Sequence, residues 1–548
     1  MNTPQSGTSR RASKLLLLGT ALLALPVAAF AQSLNWIGNS TGSWQTASNW
    51  TENTTPAGVN APYDIIIAPT GFPANGNLVA TILAGGNYTI RSLTVNNANG
   101  ILGNVSNSTG LRIASASNNT TVIHRTTTFG TAGITIINVT NNIGVSFNAA
   151  TSSGNNSTIT MNLGYSGFGT IHTDATSSFT VNVANSTIVG TGGIIKTGAG
   201  TLRLSGNHTY AGGAELVEGI TVVQSSGSTS SGTIVSSPFG TGSVKLSGGS
   251  MVSSSDTGRT IYGSVQLNGT VAITSNTTGQ DGPFTISNTA TGAATTLLTN
   301  STLNIATTAN WNQAISGGFG LTKTGAGKLL LNAANTYSGS TTVSAGTLEL
   351  GPTGSLAGSL TVASGATLSG TGTIGGAATI SGIHSPGFSP GIQTFSGDLT
   401  YNNGATINWE LTDNTSTQGD PTPVYDQIFV GSTLNFAGAT SLTPIFNAAG
   451  SATDWNAAFW STNQTWKIYD AVSVLNFGNL TLAGSNYADS LGVLLNTARP
   501  AASFGLSEVS GDVYLNYSIP EPSTYAALFG LITLGFVVWR RRQAALVK

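Results

Sequence analysis

Two apolar patterns alternate along this chain, and both have the period of a strand. In residues 193–223 and again in 320–350, aliphatic side chains recur two apart: Leu202 and Leu204, Leu329 and Leu331, Leu348 and Leu350. A two-residue period puts each pair on one face of a strand. Between these runs stand glycines such as Gly198, Gly200, Gly325, Gly327, Gly339 and Gly346, where tight turns need backbone freedom. A second pattern follows. Ser355-Leu356, Thr361-Val362, Thr367-Leu368, Thr373-Ile374 and Thr379-Ile380 place a hydroxyl residue before an aliphatic one every six residues. From about 80 to 400 the same grammar of short Thr, Val, Ile and Leu runs between Gly, Asn and Ser turns persists, with no amphipathic helical period. A strand–turn–strand unit with one greasy face cannot bury that face alone and must stack on another. The expected fold is all-β: a parallel β-solenoid (β-helix), right-handed by default, over residues 81–391. At roughly 20–25 residues per coil and about 4.8 Å per step, that is about 13–16 coils.

The two segments at 193–223 and 320–350 align without a gap, Lys196 on Lys323, Thr209-Tyr210 on Thr336-Tyr337 and Gly219 on Gly346. This K-x-G-x-G-x-L-x-L…Y-x-G…G unit resembles the autotransporter-associated β-strand repeat of bacterial surface-protein passengers. The first copy departs from the pattern, with His208 where the second has Asn335 and Ile220 to Val223 where the second has a T-L-x-L ending. The resemblance implies an exported, cell-surface protein.

The flanks differ from this body. Trp36, Trp44 and Trp50 cluster in residues 32–80, which are expected to form a Trp-rich N-terminal cap, since an open solenoid end is a sheet edge, with ordinary β-domain core as the alternative. After the S-P-G-x-S-P-G stretch at 385–391 the chain becomes richer in aromatics and acids, with Trp409, Trp455, Trp460 and Trp466. Residues 392–518 are expected to form a C-terminal β cap or small sandwich. The span from 400 to the tail is too short and broken for an autotransporter's membrane barrel.

Both ends carry addresses. Arg10, Arg11 and Lys14 precede an apolar run from Leu15, which closes on Ala29-Phe30-Ala31, a small-x-small cleavage pattern. Residues 1–31 are thus expected to be a secretory signal cut after Ala31. At the other end, Pro520-Glu521-Pro522 precedes an apolar stretch to Trp539, followed by Arg540-Arg541-Arg542. The order of triplet, short apolar segment and basic end resembles the PEP-CTERM sorting tail. That resemblance implies a tail at 519–548 with a transmembrane segment at about 523–539. It also implies Pro520, Glu521 and Pro522 as the recognition motif, and an exosortase-type membrane protease and the secretion machinery as partners. Transient inner-membrane anchoring would then be followed by release to the surface or matrix.

Composition narrows the chemistry. Charged residues make up only 7% of the 548 positions, and 39% are hydrophobic, enough to support an ordered β protein. Between 32 and 519 there are 11 Lys and Arg against 18 Asp and Glu, so no basic patch invites nucleic acid. Cysteine is absent, which removes thiol and Cys-metal chemistry. The four histidines, His124, His172, His208 and His384, show no metal-binding spacing and are expected in turns or at the surface. Glu410, Asp413, Asp420 and Asp426 form the densest acidic stretch, a candidate calcium loop weighed against a solvated one. No catalytic, cofactor-binding or metal-ligating residue is expected. The leading expectation is a structural or adhesin-like protein whose Thr, Ser and Asn face meets extracellular polysaccharide or other copies of itself. The rival is a β-helix polysaccharide lyase or glycosidase, which needs converging carboxylates.

Overall fold

The computed structural model describes residues 186–519 except 206, 255, 276–281 and 419–422. It also describes the backbone of ten earlier strands, the side chains of 169–173, and the helix Pro522–Ala545. The signal, Ala29 and Ala31, the tryptophans at 36, 44 and 50, and Pro520 and Glu521 lie outside the described residues.

Parallel strands stack in three ladders. The first climbs through Gly193–Thr197, Ala214–Leu216, Val244–Leu246, Val265–Leu267 and Thr295–Leu297 to Ile315–Ser316. It resumes at Ala334–Asn335, where the Thr336 N–H donates to the Ile315 carbonyl at 2.8 Å. The second holds Thr201–Leu204, Ile220–Val223, Ser250–Ser253, Thr270–Ser275, Ser301–Ile305, Leu321–Thr324 and Thr341–Val343. The third starts at Arg259–Ile261 and runs by way of Lys328–Leu331 and Thr347–Leu350 to Leu480–Leu482. The first and second ladders converge on one long strand, Gln427–Phe436, which pairs with both Ile392–Phe395 and Leu399–Tyr401 around an irregularity in its register.

Alternation explains the stacking. Within each strand the inward residues are buried and the others face out, as in Leu321–Thr324, Thr341–Val343 and Thr347–Leu350. Each buried Leu, Ile or Val contributes roughly 1.5–3 kcal/mol over an exposed one, and only the next coil supplies the cover. The six-residue pattern is one side of a three-sided coil. Ser355 registers with Thr373 and Thr361 with Thr379, eighteen residues apart. Leu356, Val362, Leu368, Ile374 and Ile380 all enter the core.

Residue 391 marks no break in the ladders. Strands on its C-terminal side stay parallel up to Leu480–Leu482, and closure comes later. Gln464–Leu475 pairs parallel with the coil before it and antiparallel with Asp512–Ser518, which in turn carries Ser503–Val509. Inside this closing layer Trp455, Trp460, Trp466, Phe446, Phe504 and Tyr517 pack ring on ring.

A helix forms over Pro522–Ala545 and its side chains from 530 to 542 are exposed. Among the described residues, however, no helix is long and apolar enough to cross a membrane.

Candidate functional site

The repeat unit is built around a buried cation. Lys196 and Lys323 sit on inward positions of their strands and are fully buried. The Lys323 ammonium donates to the carbonyls of Thr324 at 3.0 Å, Gly325 at 2.8 Å and Ala345 at 3.0 Å. Lys196 does the same to Thr197, Gly198 and Glu218, at 2.8, 2.6 and 3.1 Å. Each lysine therefore ties its own turn to the turn of the next coil. The glycine that follows is part of the device. Gly346 has φ +66°, and a Cβ there would lie 2.4 Å from the Gly325 carbonyl oxygen. Burial lowers both ammonium groups to about 8, and at Lys196 the nearby Glu218 carboxylate opposes that shift. These are structural cations, with no side chain left free for chemistry.

His208 and His384 correct the expectation of surface histidines: both are completely buried. The reason at His208 is positional. The Ile188 N–H donates to its Nδ1 at 3.2 Å, and in the second copy the Ile315 N–H donates to Asn335 Oδ1 at 3.0 Å. The imidazole nitrogen replaces an amide oxygen as acceptor for the same backbone donor. His208→Asn should therefore fold with unchanged or higher stability. His208→Ala, which orphans the Ile188 N–H, should cost roughly 1–3 kcal/mol in denaturant melts. Burial depresses His208 to about 3, so the unfolded chain binds more protons below 6.5 and stability falls as pH falls through that range. The Asn variant should lose that share of the acid limb. Equal cost for Asn and Ala would refute the acceptor role.

His384 joins a buried polar chain at the point where the first two ladders converge. Its Nε2 donates to Gln393 Oε1 at 2.6 Å, its Nδ1 accepts from the Tyr401 hydroxyl at 2.5 Å, and Tyr469 donates to Tyr401 at 3.0 Å. Burial holds the imidazole down at about 4 and neutral, although Gln393 opposes the shift. The chain fixes Leu399–Tyr401 against the strand that carries Tyr469 and does not reach solvent.

The acidic stretch is split. Asp426 is buried, accepting from the Gly391 N–H at 2.8 Å and the Glu410 N–H at 2.9 Å, and so pins the S-P-G-x-S-P-G loop. Burial, and after it the Glu410 carboxylate, push its carboxyl well above the usual range against those two bonds. Glu410 accepts from the Ser389 hydroxyl at 2.6 Å, and Asp413 accepts from the Asn414 N–H at 2.7 Å. Asp420 lies outside the described residues. Among the described residues no three acidic or histidine side chains gather as a metal site.

What the second ladder presents to solvent is a column of hydroxyls. Thr270, Thr302, Thr322, Thr342, Thr361, Thr379 and Thr400 occupy one register through successive coils, and Asn435 follows. Adjacent rungs lie about 4.8 Å apart. All seven threonines point outward and none is charged, so the column is a flat, neutral strip of methyls and hydroxyls. Neighbouring coils add amide and hydroxyl links such as Asn332 to Asn312 at 2.8 Å and Asn402 to Ser381 at 3.0 Å. Sequence spacing hides the column because the intervals vary between 18 and 32 residues; the six-residue pattern exposed only Thr361 and Thr379.

Comparison with known families places the repeats. The passenger-associated-transport-repeat family matches residues 194–223 and 321–350, the two cation-centred units. Those segments superimpose at a constant offset of 127, so Thr221 and Val223 take the buried places of Leu348 and Leu350. No curated protein matches the chain. Passenger repeats on a parallel β-solenoid fit an exported or surface-exposed protein.

Proposed function

We propose that this chain is an exported structural or adhesive component of a bacterial cell surface or extracellular matrix, without a catalytic role. The observation that carries the proposal is the uninterrupted parallel stack whose second ladder presents the neutral threonine column. A periodic strip of weak donors and acceptors suits an extended, uncharged polymer or another copy of the same strip. Each contact is worth about 0.5–1.5 kcal/mol, so useful affinity comes from repetition.

In this reading residues 1–31 direct export and are removed after Ala31. The tail is a sorting address: Pro520, Glu521 and Pro522 are recognised by an exosortase-type protease. The exposed apolar side chains between Leu531 and Trp539, ahead of Arg540, Arg541 and Arg542, hold the chain briefly at the inner membrane. The test is fractionation of native cells with sequencing of both termini. The expected product is extracellular, starts at Gln32 and ends close to the Pro520–Pro522 triplet. An intact polypeptide through Lys548 in the cytosol would overturn the reading, and an intact tail on a surface protein would remove the sorting step alone.

A further inference from the structure

Two coils break the twenty-residue rhythm of the first ladder. Ile194 registers with Ala214 twenty residues later, and Thr295 with Ile315 likewise. Thirty residues, by contrast, separate Ala214 from Val244, and thirty separate Val265 from Thr295. The added length does not disperse over the surface. The first insertion contains an antiparallel hairpin, Ser228–Ser230 with Thr233–Ser236. The second contains the turn around Thr291. The two meet: the Thr291 N–H donates to the Gly232 carbonyl at 2.8 Å. The contact is close because Gly232 has φ +79°, and a Cβ on it would lie 2.3 Å from the Thr291 hydroxyl.

Beside this junction is an open cleft of about 500 Å³. Thr241, Ser243 and Ser264 from the coil and Thr233, Ile234 and Thr291 from the two insertions line it. Every lining residue is uncharged. Two hydroxyls serve the protein: Thr241 donates to the Tyr210 carbonyl at 3.5 Å, and Ser264 accepts from the Ala294 N–H at 3.4 Å. Thr233, Ser243 and Thr291 are exposed and their hydroxyls have no protein partner among the described residues, so they are open to solvent and to a guest in the cleft. We propose that this cleft is a binding site for a neutral saccharide unit, a hexose or the end of an uncharged glycan chain. The volume lies in the range of about 300–1,000 Å³ usual for small-ligand sites. A ring bearing hydroxyls matches a wall that alternates hydroxyl and methyl. A phosphate or uronate would find no cation there. With no aromatic platform and only a few hydrogen bonds, the dissociation constant should be on the order of millimolar.

The proposal rests on the extracellular reading above and deepens it. The experiment is saturation-transfer NMR on the exported chain, with glucose, galactose, mannose, cellobiose and lactose as probes and glucuronate as the charged control. At least one neutral sugar should give a signal, and glucuronate none. The double variant Thr233→Val/Thr291→Val keeps the shape and should weaken binding about fivefold or more. Ser243→Phe fills the cleft and should abolish the signal while the thermal midpoint shows the stack intact. Silence from all neutral probes, or undiminished binding by folded Ser243→Phe, overturns the site. Either result in a chain that is exported and processed as proposed leaves the export reading standing, whereas a cytosolic chain removes that reading whatever binds.

Discussion

Lys323→Ala is expected to lower the free energy of unfolding by about 3–5 kcal/mol, among the largest single-site losses in the stack. Lys323 is fully buried and satisfies three backbone carbonyls on two successive turns. Removing the ammonium leaves those oxygens in a closed corner, where each unsatisfied group costs about 1–3 kcal/mol before water relieves part of it. The aliphatic stem adds a cavity term. Lys323→Met keeps the stem and should recover only the smaller, packing share. Urea melts of the three proteins measure the difference; a Met variant as stable as the parent would show that the carbonyl cage contributes nothing.

The same cage has a pH signature with a definite sign. Burial places the folded pKa of both lysines at about 8, against an unfolded value near 10.5. Between those values the unfolded chain binds more protons, so the lysines' contribution to stability rises with pH through this window. The opposite sign takes over from about pH 10. There the buried Tyr337 hydroxyl, pushed up to about 12 by burial, makes the folded state hold a proton that the unfolded chain gives up. The lysine effect is therefore isolated between pH 8 and 9.5, where the slope should be shallower in Lys323→Met than in the parent chain.

What was legible in the sequence divides along physical lines. The two-residue alternation and the six-residue pattern are local, and both survive in the structure: Leu329 and Leu331, Leu356 and Ile374 are core because the strand period puts them there. The gapless alignment of the repeats also paired the two lysines correctly. Their burial was not legible, because a lone Lys in a strand suggests solvent until the turn carbonyls of the next coil are placed around it. His208 misled for the same reason. Its partner, the Ile188 N–H, lies twenty residues away on another coil. The threonine column and the cleft beside the hairpin are likewise properties of register. They depend on how many residues each coil inserts before it returns to its ladder.

Trp460→Ala should open the C-terminal end of the stack. A solenoid ends in unpaired strand edges that must be covered to prevent pairing with other chains. Here the cover is the antiparallel pair Ser503–Val509 and Asp512–Ser518, and the cluster of rings beneath it attaches it to the last coil. Trp460 lies at the centre of that cluster, with ring centroids 4.5 Å from Trp455, 5.7 Å from Trp466 and 5.0 Å from Tyr517. Its indole N–H donates to Asn414 Oδ1 at 2.7 Å, and its carbonyl accepts from the Tyr517 hydroxyl at 3.0 Å. Truncation removes the largest side chain from a fully buried site, a loss of about 3–5 kcal/mol, while Asn414 Oδ1 keeps the Asp454 N–H as donor at 2.9 Å. Nearest-neighbour coupling confines the damage. The cap should melt ahead of the repeats at 193–223 and 320–350, splitting one denaturant transition into two. Once released, the edge offers backbone donors and acceptors to other chains, so light scattering should rise at denaturant concentrations that melt only the cap. Trp460→Phe retains most of the ring contact and should shift the first transition by less than half as much. A single unchanged transition in the Ala variant would mean that the rings do not hold the cap in place.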